Sequence, residues 1–222
     1  MAKTLPSIIA IGNLKGGAGK TTLAVNVASA LTADGAVVLV DADAQATSMA
    51  WGEAGKLPMT LEALPLADDS KRALAAWVSR LMELKLLAAF VVVDLPPNLG
   101  GVTMAALTVT DLFLVPVSPS GMDLRATEKA LQLLRQARQV RRGEKPACLL
   151  VPSRVDRRTA AGKEIEGVLS DFREPVGPAI SQRAAHVDAF GAGEWIGDYA
   201  PRSAGHVEIG ALTALVRRMA IR

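Results

Sequence analysis

One stretch restricts this chain more than any other: Gly12-Asn13-Leu14-Lys15-Gly16-Gly17-Ala18-Gly19-Lys20-Thr21-Thr22. The apolar run Ile8 to Ile11 precedes it and reads as a buried strand, and Leu23 to Leu31 follows it and reads as a helix. Strand, glycine-rich loop and helix in that order is the context in which such a loop cradles phosphate. Glycines let backbone N–H groups turn inward and approach a phosphate chain closely, and the helix behind adds the positive end of its dipole. Lys15, Gly16, Gly17, Ala18, Gly19, Lys20, Thr21 and Thr22 are the candidate nucleotide-binding residues. Among them Lys20 reaches the terminal phosphates and the Thr21 hydroxyl ligates Mg²⁺. A tight glycine turn without a ligand is the plain alternative. Two lysines, three glycines and a threonine pair in order after a strand argue against it.

The usual pattern, G-x-x-x-x-G-K-[ST], wants glycine at Leu14. Instead a second lysine, Lys15, opens the loop. It sits too far along to serve the same phosphates from the same side, but it can reach a nucleotide held by a facing subunit. This Lys-Gly-Gly-x-Gly-Lys-Thr-Thr form resembles the deviant Walker A motif of the ParA/MinD family of dimerising ATPases.

The 222 residues suffice for one sizeable α/β domain, and residues 1–222 are expected to form it. Half the residues are hydrophobic and only 4% are aromatic, so Ala, Leu and Val carry the apolar load. That suits helices packed on a parallel sheet. After Ile8 to Ile11, the apolar runs Val37–Val40, Phe90–Val93, Leu112–Val117 and Ala147–Val151 read as strands, and Val176–Ile180 as a weaker sixth. Helical patterns fall at about 20–34, 70–88, 121–141, 160–170 and 204–220. Strands alternating with helices imply right-handed crossovers and a mostly parallel, twisted sheet with helices on both faces. Residues 52–69, with Pro58 and Pro65, read as a surface loop. The single cysteine, Cys148, lies in an apolar run and reads as packing. No secretory h-region and no run of 18 apolar residues stands out, so a soluble, cytoplasmic protein is expected.

Ligands bind at the carboxyl ends of strands in such sheets, and polar residues follow each run there. Asp94 closes the Phe90–Val93 run, the place of a carboxylate that holds Mg²⁺ through a water. Asp41 and Asp43 stand two apart at another strand end. They point the same way if the strand continues, separately if it turns after Asp41, and an N-cap role is the simple alternative for either. Asp41-Ala42-Asp43-Ala44-Gln45 resembles the family's switch I, D-x-D-P-Q. The resemblance implies that Asp43 orients the attacking water and that Asp41 lies near the Mg²⁺ shell; Ala44 replaces the usual proline. Asp94 through Gly101 resembles switch II, stiffened by Pro96 and Pro97 and freed by a glycine pair. Pro152-Ser153-Arg154 follows the fifth strand, where relatives contact adenine, which makes Pro152 and Arg154 candidates for the base.

The charge balance, 25 basic against 22 acidic residues for a net +3, permits an anionic partner without requiring one. Arg135, Arg138 and Arg142 recur on one helix, with Arg141 and Lys145 beside them. Arg154, Arg157 and Arg158 follow a strand, and Arg183, Arg202, Arg217, Arg218 and Arg222 fall near the end. Such a set suits backbone phosphates rather than base edges, and the lack of interleaved aromatics argues against single-strand stacking. For any one arginine a solvated helix face is the simpler account. Arg183, Arg202, Arg217 and Arg218 are the candidates for DNA contact. Residues from Val187 to Ala204 resemble the C-terminal pattern of ParA proteins. By that resemblance, ATP closes a sandwich dimer in which Lys15 crosses to the partner's nucleotide. The dimer then binds nucleoid DNA nonspecifically, and a ParB-type protein or cargo adaptor stimulates hydrolysis. The short segment before Lys3 leads to the expectation that no helix-turn-helix extension is present. The main alternative is a MinD-like ATPase on a membrane surface, using Ala211–Arg222 as an amphipathic helix. A metal-cluster relative lacks its bridging cysteines here, and a small-molecule kinase would leave Lys15 without a task.

Overall fold

The computed structural model describes residues 6–66, 68–98 and 100–220. Leu99 of the switch II-like segment, Arg222 of the basic set and Lys3 lie outside the described residues. The strands are β1 (Ser7–Ile11), β2 (Val37–Asp41), β3 (Thr60–Ala63), β4 (Phe90–Asp94), β5 (Leu112–Val117) and β6 (Ala147–Pro152). They form a parallel sheet in the order β3-β2-β4-β1-β5-β6. The helices are α1 (Lys20–Leu31), α2 (Thr47–Gly52), α3 (Lys71–Leu87), α4 (Gly101–Val109), α5 (Gly121–Arg141), α6 (Ala160–Ser170), α7 (Ala184–Ala192), α8 (Ile196–Tyr199) and α9 (Ala204–Ala220).

The alternation of side chains along the strands explains why β1, β2, β4, β5 and β6 are apolar over nearly their whole length. Ile8, Ala10, Val38, Val40, Val91, Val93, Phe113 and Val115 face a core closed by α3, α4, α5 and α6. Ile9, Ile11, Leu39, Phe90, Val92, Leu112, Leu114, Leu149 and Val151 face a second core closed by α1, α8 and α9. A sheet covered on both faces buries every position, so its strands lose the polar alternation of a one-sided sheet.

Two expectations are corrected. Val176–Ile180 is not a strand: it runs beside β6 through isolated bridges, Leu150 to Val176 and Val155 to Ser181. Pro175 and Pro178 lack the N–H groups that a continuous ladder needs. The sixth strand lies instead at the opposite edge, as β3, inside the 52–69 stretch read as a loop. Its sequence, Thr-Leu-Glu-Ala, carries no apolar run because it is an exposed edge with partial cover. Leu61 packs so close to Gly52 that a Cβ there would meet its Cδ1 at 2.4 Å. Helices α2, α4, α7 and α8 were not foreseen either.

Register fixes what meets at the carboxyl edge of the sheet. Asp41 of β2 stands level with Asp94 of β4, and Asp94 stands level with Ile11 of β1, where the glycine-rich loop begins. Three segments far apart in the chain are thereby set side by side on adjacent strands.

Candidate nucleotide site

Above that edge lies a cleft of about 690 Å³. It is lined by Gly16, Gly17, Gly19, Lys20, Thr21 and Thr22 of the loop and by Asp43, Thr47 and Pro97. Ser153 and Arg154 lie directly against the loop glycines, and Ile180 through Ala184, His186 and Val187 complete the lining. The loop needs its glycines for two different reasons. Gly19 caps α1 with φ 91°, a left-handed conformation, and a Cβ there would sit 2.6 Å from Ser153 Oγ. At Gly12, a Cβ would press against Phe113 at 3.0 Å and Leu95 at 3.1 Å.

Lys20 opens α1 and is 7% exposed. Its Nζ donates to the Lys15 carbonyl at 3.1 Å, spanning the loop. Burial lowers its pKa, while Asp94 and Asp43 pull it back up. Arg154 closes the loop from the other side by donating to Gly17 O at 2.7 Å. Ala18 is buried under the loop. Lys15 turns away from the cleft, its Nζ 2.9 Å from Asp123 Oδ1 and donating to Ser120 Oγ at 3.2 Å. The contact with Asp123 is close enough for an ion pair, yet neither carboxylate oxygen is in hydrogen-bond geometry with a partner. Asp123 is fully buried in the first turn of α5, capped by Ser120.

The carboxylates separate into distinct tasks. Asp94 is 1% exposed, and its Oδ2 accepts from the Thr21 hydroxyl at 2.7 Å and from the Ser48 hydroxyl at 2.8 Å. Its Oδ1 is buried without a partner. The chain turns after Asp41, so the two switch I acids diverge. Asp41 stays buried, accepting from Asp43 N at 3.0 Å and Met49 N at 3.1 Å, and so ties down the start of α2. Burial raises its pKa, and those backbone bonds oppose the shift. Asp43 reaches the cleft, where it also accepts from Gln45 N at 3.0 Å. Neither acid is the N-cap of α2: that position is Ala46, and Asp41 accepts from the Met49 N–H of the first turn from outside the helix.

The donor set suits Mg²⁺. It is made of oxygen, with the Thr21 hydroxyl beside a carboxylate whose Oδ1 lacks a partner. Among the described residues no group of three or more His, Cys, Asp or Glu side chains could hold a metal by itself. That accords with an ion that keeps waters and takes phosphate oxygens rather than a full protein cage.

Burial pushes the Asp94 carboxyl up to about 6; the Thr21 and Ser48 hydroxyls oppose this, Asp41 adds to it and Lys20 opposes it. A carboxyl raised in the folded state holds a proton that the unfolded chain releases between about pH 4 and 6, so stability falls as pH rises through that window. Asp94→Asn removes this penalty. In metal-free buffer it is expected to raise unfolding free energy at pH 7.5 by about 2–3 kcal/mol. The gain should vanish below about pH 4, as read by urea titrations across the range. An equal gain at pH 3.5 and 7.5 would show that ionisation is not its source.

Of the residues expected at the base, Arg154 lines the cleft, whereas Pro152 is buried at the end of β6 and does not. The arginines assigned to DNA are divided. Arg183 lines the cleft and pairs with Glu208 at 2.6 Å, and Arg217 pairs with Asp34 at 2.6 Å. Arg202 and Arg218 are exposed. On α5, Arg138 is drawn into a pair with Glu174, whereas Arg135 and Arg142, the residue that caps the end of α5, face solvent. Nothing in the sequence signalled the contacts of Ser48 and Asp123 or residues 180–187 at the cleft, although Ser120 and Ser153 stand among the polar residues that follow strands. Only Ser120 and Asp123 carried a local signal, the S-x-x-D spacing of a helix N-terminus.

Residues 9–194 match the family described as the CobQ/CobB/MinD/ParA nucleotide binding domain. The chain is 31% identical over 194 residues to the "Maintenance of carboxysome distribution protein A" of Halothiobacillus neapolitanus, covering 85% of this chain and 86% of that one. It is 31% identical over 238 residues to the "Sporulation initiation inhibitor protein Soj" of Bacillus subtilis, covering 89% and 93%. Among solved structures, apo McdA from Cyanothece superposes with a TM-score of 0.79 at 16% identity, over 95% of this chain and 99% of that one. MinD from Pyrococcus horikoshii, complexed with Mg-ADP, gives 0.74 at 22% identity over 95% of each. With its match running over most of its length, the chain belongs to the CobQ/CobB/MinD/ParA nucleotide-binding family.

Proposed function

We propose that this chain is a Mg²⁺-dependent ATPase that closes into a homodimer around ATP and uses that cycle to position a cargo on nonspecific double-stranded DNA. The observation that carries the reading is the meeting of Thr21 with Asp94 beneath a phosphate cradle that Lys20 spans. Mg²⁺, when bound, supplies charge neutralisation on the phosphate oxygens. The chain does the rest by positioning and charge. Loop N–H groups of Gly16 through Thr22 orient the phosphates. Lys20, released from the Lys15 carbonyl, offsets negative charge at the terminal phosphate. Thr21 and Asp94 hold the ion, with Asp41 bracing the loop beside it. Asp43, already in the cleft wall, orients the attacking water. Arg154 and Ser153 flank the base end. Lys15 leaves Asp123 to reach the nucleotide of a second copy.

The relatives' printed names, carboxysome distribution and "Chromosome partitioning protein ParA" of Caulobacter vibrioides, support cargo positioning as the output. A ParB-type protein or cargo adaptor is the partner class that would stimulate hydrolysis, and the nucleoid is the expected location. DNA contact rests on exposed arginines such as Arg202 and Arg218, with Arg183 and Arg217 available once their acid partners let go. The membrane alternative loses its main support, because Leu212 and Val216 are fully buried and Leu215 and Met219 pack against the same core. No helix among the described residues is long and apolar enough to cross a membrane.

Co-sedimentation with DNA in ADP, ATP or a slowly hydrolysed analogue, at two salt concentrations, tests the reading. Binding only with ATP or the analogue, indifferent to sequence and weakened by salt, is expected. No binding in any nucleotide state would remove the DNA arm and leave the ATPase.

A further inference from the structure

The mechanism above leaves Ser48 without a role, yet it is 0% exposed and its hydroxyl is spent on Asp94. Two hydroxyls donate to the same oxygen, Asp94 Oδ2, and Oδ1 is left bare. That asymmetry fixes the carboxylate plane. A single donor from Thr21 permits rotation about the Cβ–Cγ bond; a second donor arriving from another element does not. Ser48 lies in the first turn of α2, whose entry is also held by Asp41 through Met49 N. The segment from Asp43 to Met49 therefore hangs between two carboxylates that stand level on neighbouring strands.

Helix α2 leads on to α7. Trp51 Nε1 donates to Glu194 O at 2.9 Å, and its ring meets Phe190 edge-on with centroids 5.2 Å apart. Lys56, just past α2, pairs with Glu194 at 2.8 Å. Phe190 belongs to α7, which supplies Ala184, His186 and Val187 to the lining of the cleft. One short helix thus touches Asp94 at its start and α7 at its end.

We infer that Ser48 is a positioning residue for the metal site: it aims Asp94 Oδ1 and ties occupancy of that site, through α2, to the position of α7. Thr21 donates its hydroxyl hydrogen to Asp94 Oδ2 and keeps its oxygen lone pairs, so it would be able to ligate a cation without giving up this bond. The inference rests on the reading of the cleft as a Mg²⁺–nucleotide site.

The test measures affinity for fluorescent ADP in EDTA and over a Mg²⁺ titration, for wild type, Ser48→Ala and Ser48→Thr. Ser48→Ala is expected to need about 10-fold more Mg²⁺ for half-saturation, the usual scale for losing a hydrogen bond behind a metal ligand. Its ADP affinity in EDTA should stay unchanged, and Ser48→Thr, which keeps the hydroxyl, should titrate like wild type. Hydrogen exchange on the wild-type ADP complex needs no variant: added Mg²⁺ should protect residues 47–52 and 184–192 together. A Mg²⁺ titration of Ser48→Ala that matches wild type overturns the inference while leaving the nucleotide site intact. Protection of 47–52 without 184–192 overturns the link to α7. A wild-type protein that binds ADP at no Mg²⁺ concentration brings down the nucleotide reading itself.

Discussion

Alanine at Lys20 is expected to cut ATP turnover by about 10²–10³-fold, the scale seen when one preorganised charge is removed from a transition state. Lys20 is 7% exposed and starts the helix whose N-terminus faces the cleft. In the empty site its ammonium is costly: burial lowers its pKa, and its Nζ leans on the Lys15 carbonyl, with Asp94 and Asp43 nearby in compensation. On the proposed reading, a phosphate chain would replace that carbonyl with full negative charge, so binding would relieve what folding imposed. It follows that Lys20→Ala should not lower the stability of the nucleotide-free protein, while losing turnover at saturating ATP. Phosphate release and thermal unfolding, measured on the same preparation, check both halves. Turnover within a few-fold of wild type would place the catalytic charge elsewhere.

Lys15→Ala should act on the fold as well as on function. Asp123 is fully buried and has Lys15 as its ion-pair partner at 2.9 Å. Stripping one member of a buried pair leaves a charge that water cannot reach, at a cost of about 3–5 kcal/mol when both are buried. Lys15 is 34% exposed, so solvent already screens part of the contact. A loss of about 2–3 kcal/mol is the expected result in urea denaturation. Asp123→Asn added to Lys15→Ala should recover most of it, because the orphaned charge is gone. The double variant then isolates the functional role: a stable protein that sediments as a monomer with ATP and turns over slowly places Lys15 in the partner's site. A double variant that still dimerises with ATP at wild-type affinity would exclude that role. Lys15→Ala as stable as wild type would mean that the Asp123 contact contributes nothing.

The same two lysines show how far the sequence reaches. The place of Lys20 and Thr21 at the start of α1 was legible because the loop is local: its glycines, lysine and hydroxyl are consecutive, and their geometry follows from one turn and one helix start. Asp94 was legible for a related reason, since a carboxylate closing a fully apolar strand marks the carboxyl edge of a parallel sheet. The expected helices at 121–141, 160–170 and 204–220 fall where the structure has them, because each is amphipathic and bounded by capping residues or turns.

The misses share a cause. Strand β3 went unseen because an edge strand needs little apolar character, and Val176–Ile180 misled because its apolar residues pack on β6 without forming a ladder. For Asp41 and Asp43 the sequence left two directions open. The left-handed turn at Ala46 and the two backbone bonds to Asp41 send one inward to brace α2 and leave the other in the cleft. Arg183 and Arg217 look free in sequence, yet Glu208 and Asp34 neutralise them.

By itself, then, the sequence determined a parallel α/β sheet with a glycine-rich strand-to-helix loop, a carboxylate closing β4 and a second lysine in the loop, all properties of contiguous residues. Only the tertiary structure decided that Lys15 rests on Asp123, that Ser48 holds Asp94, and that Ile180 through Ala184, His186 and Val187 line the cleft. Those contacts span from 46 to more than 100 positions in the chain, and the register of the sheet, which no local pattern specifies, is what brings them together.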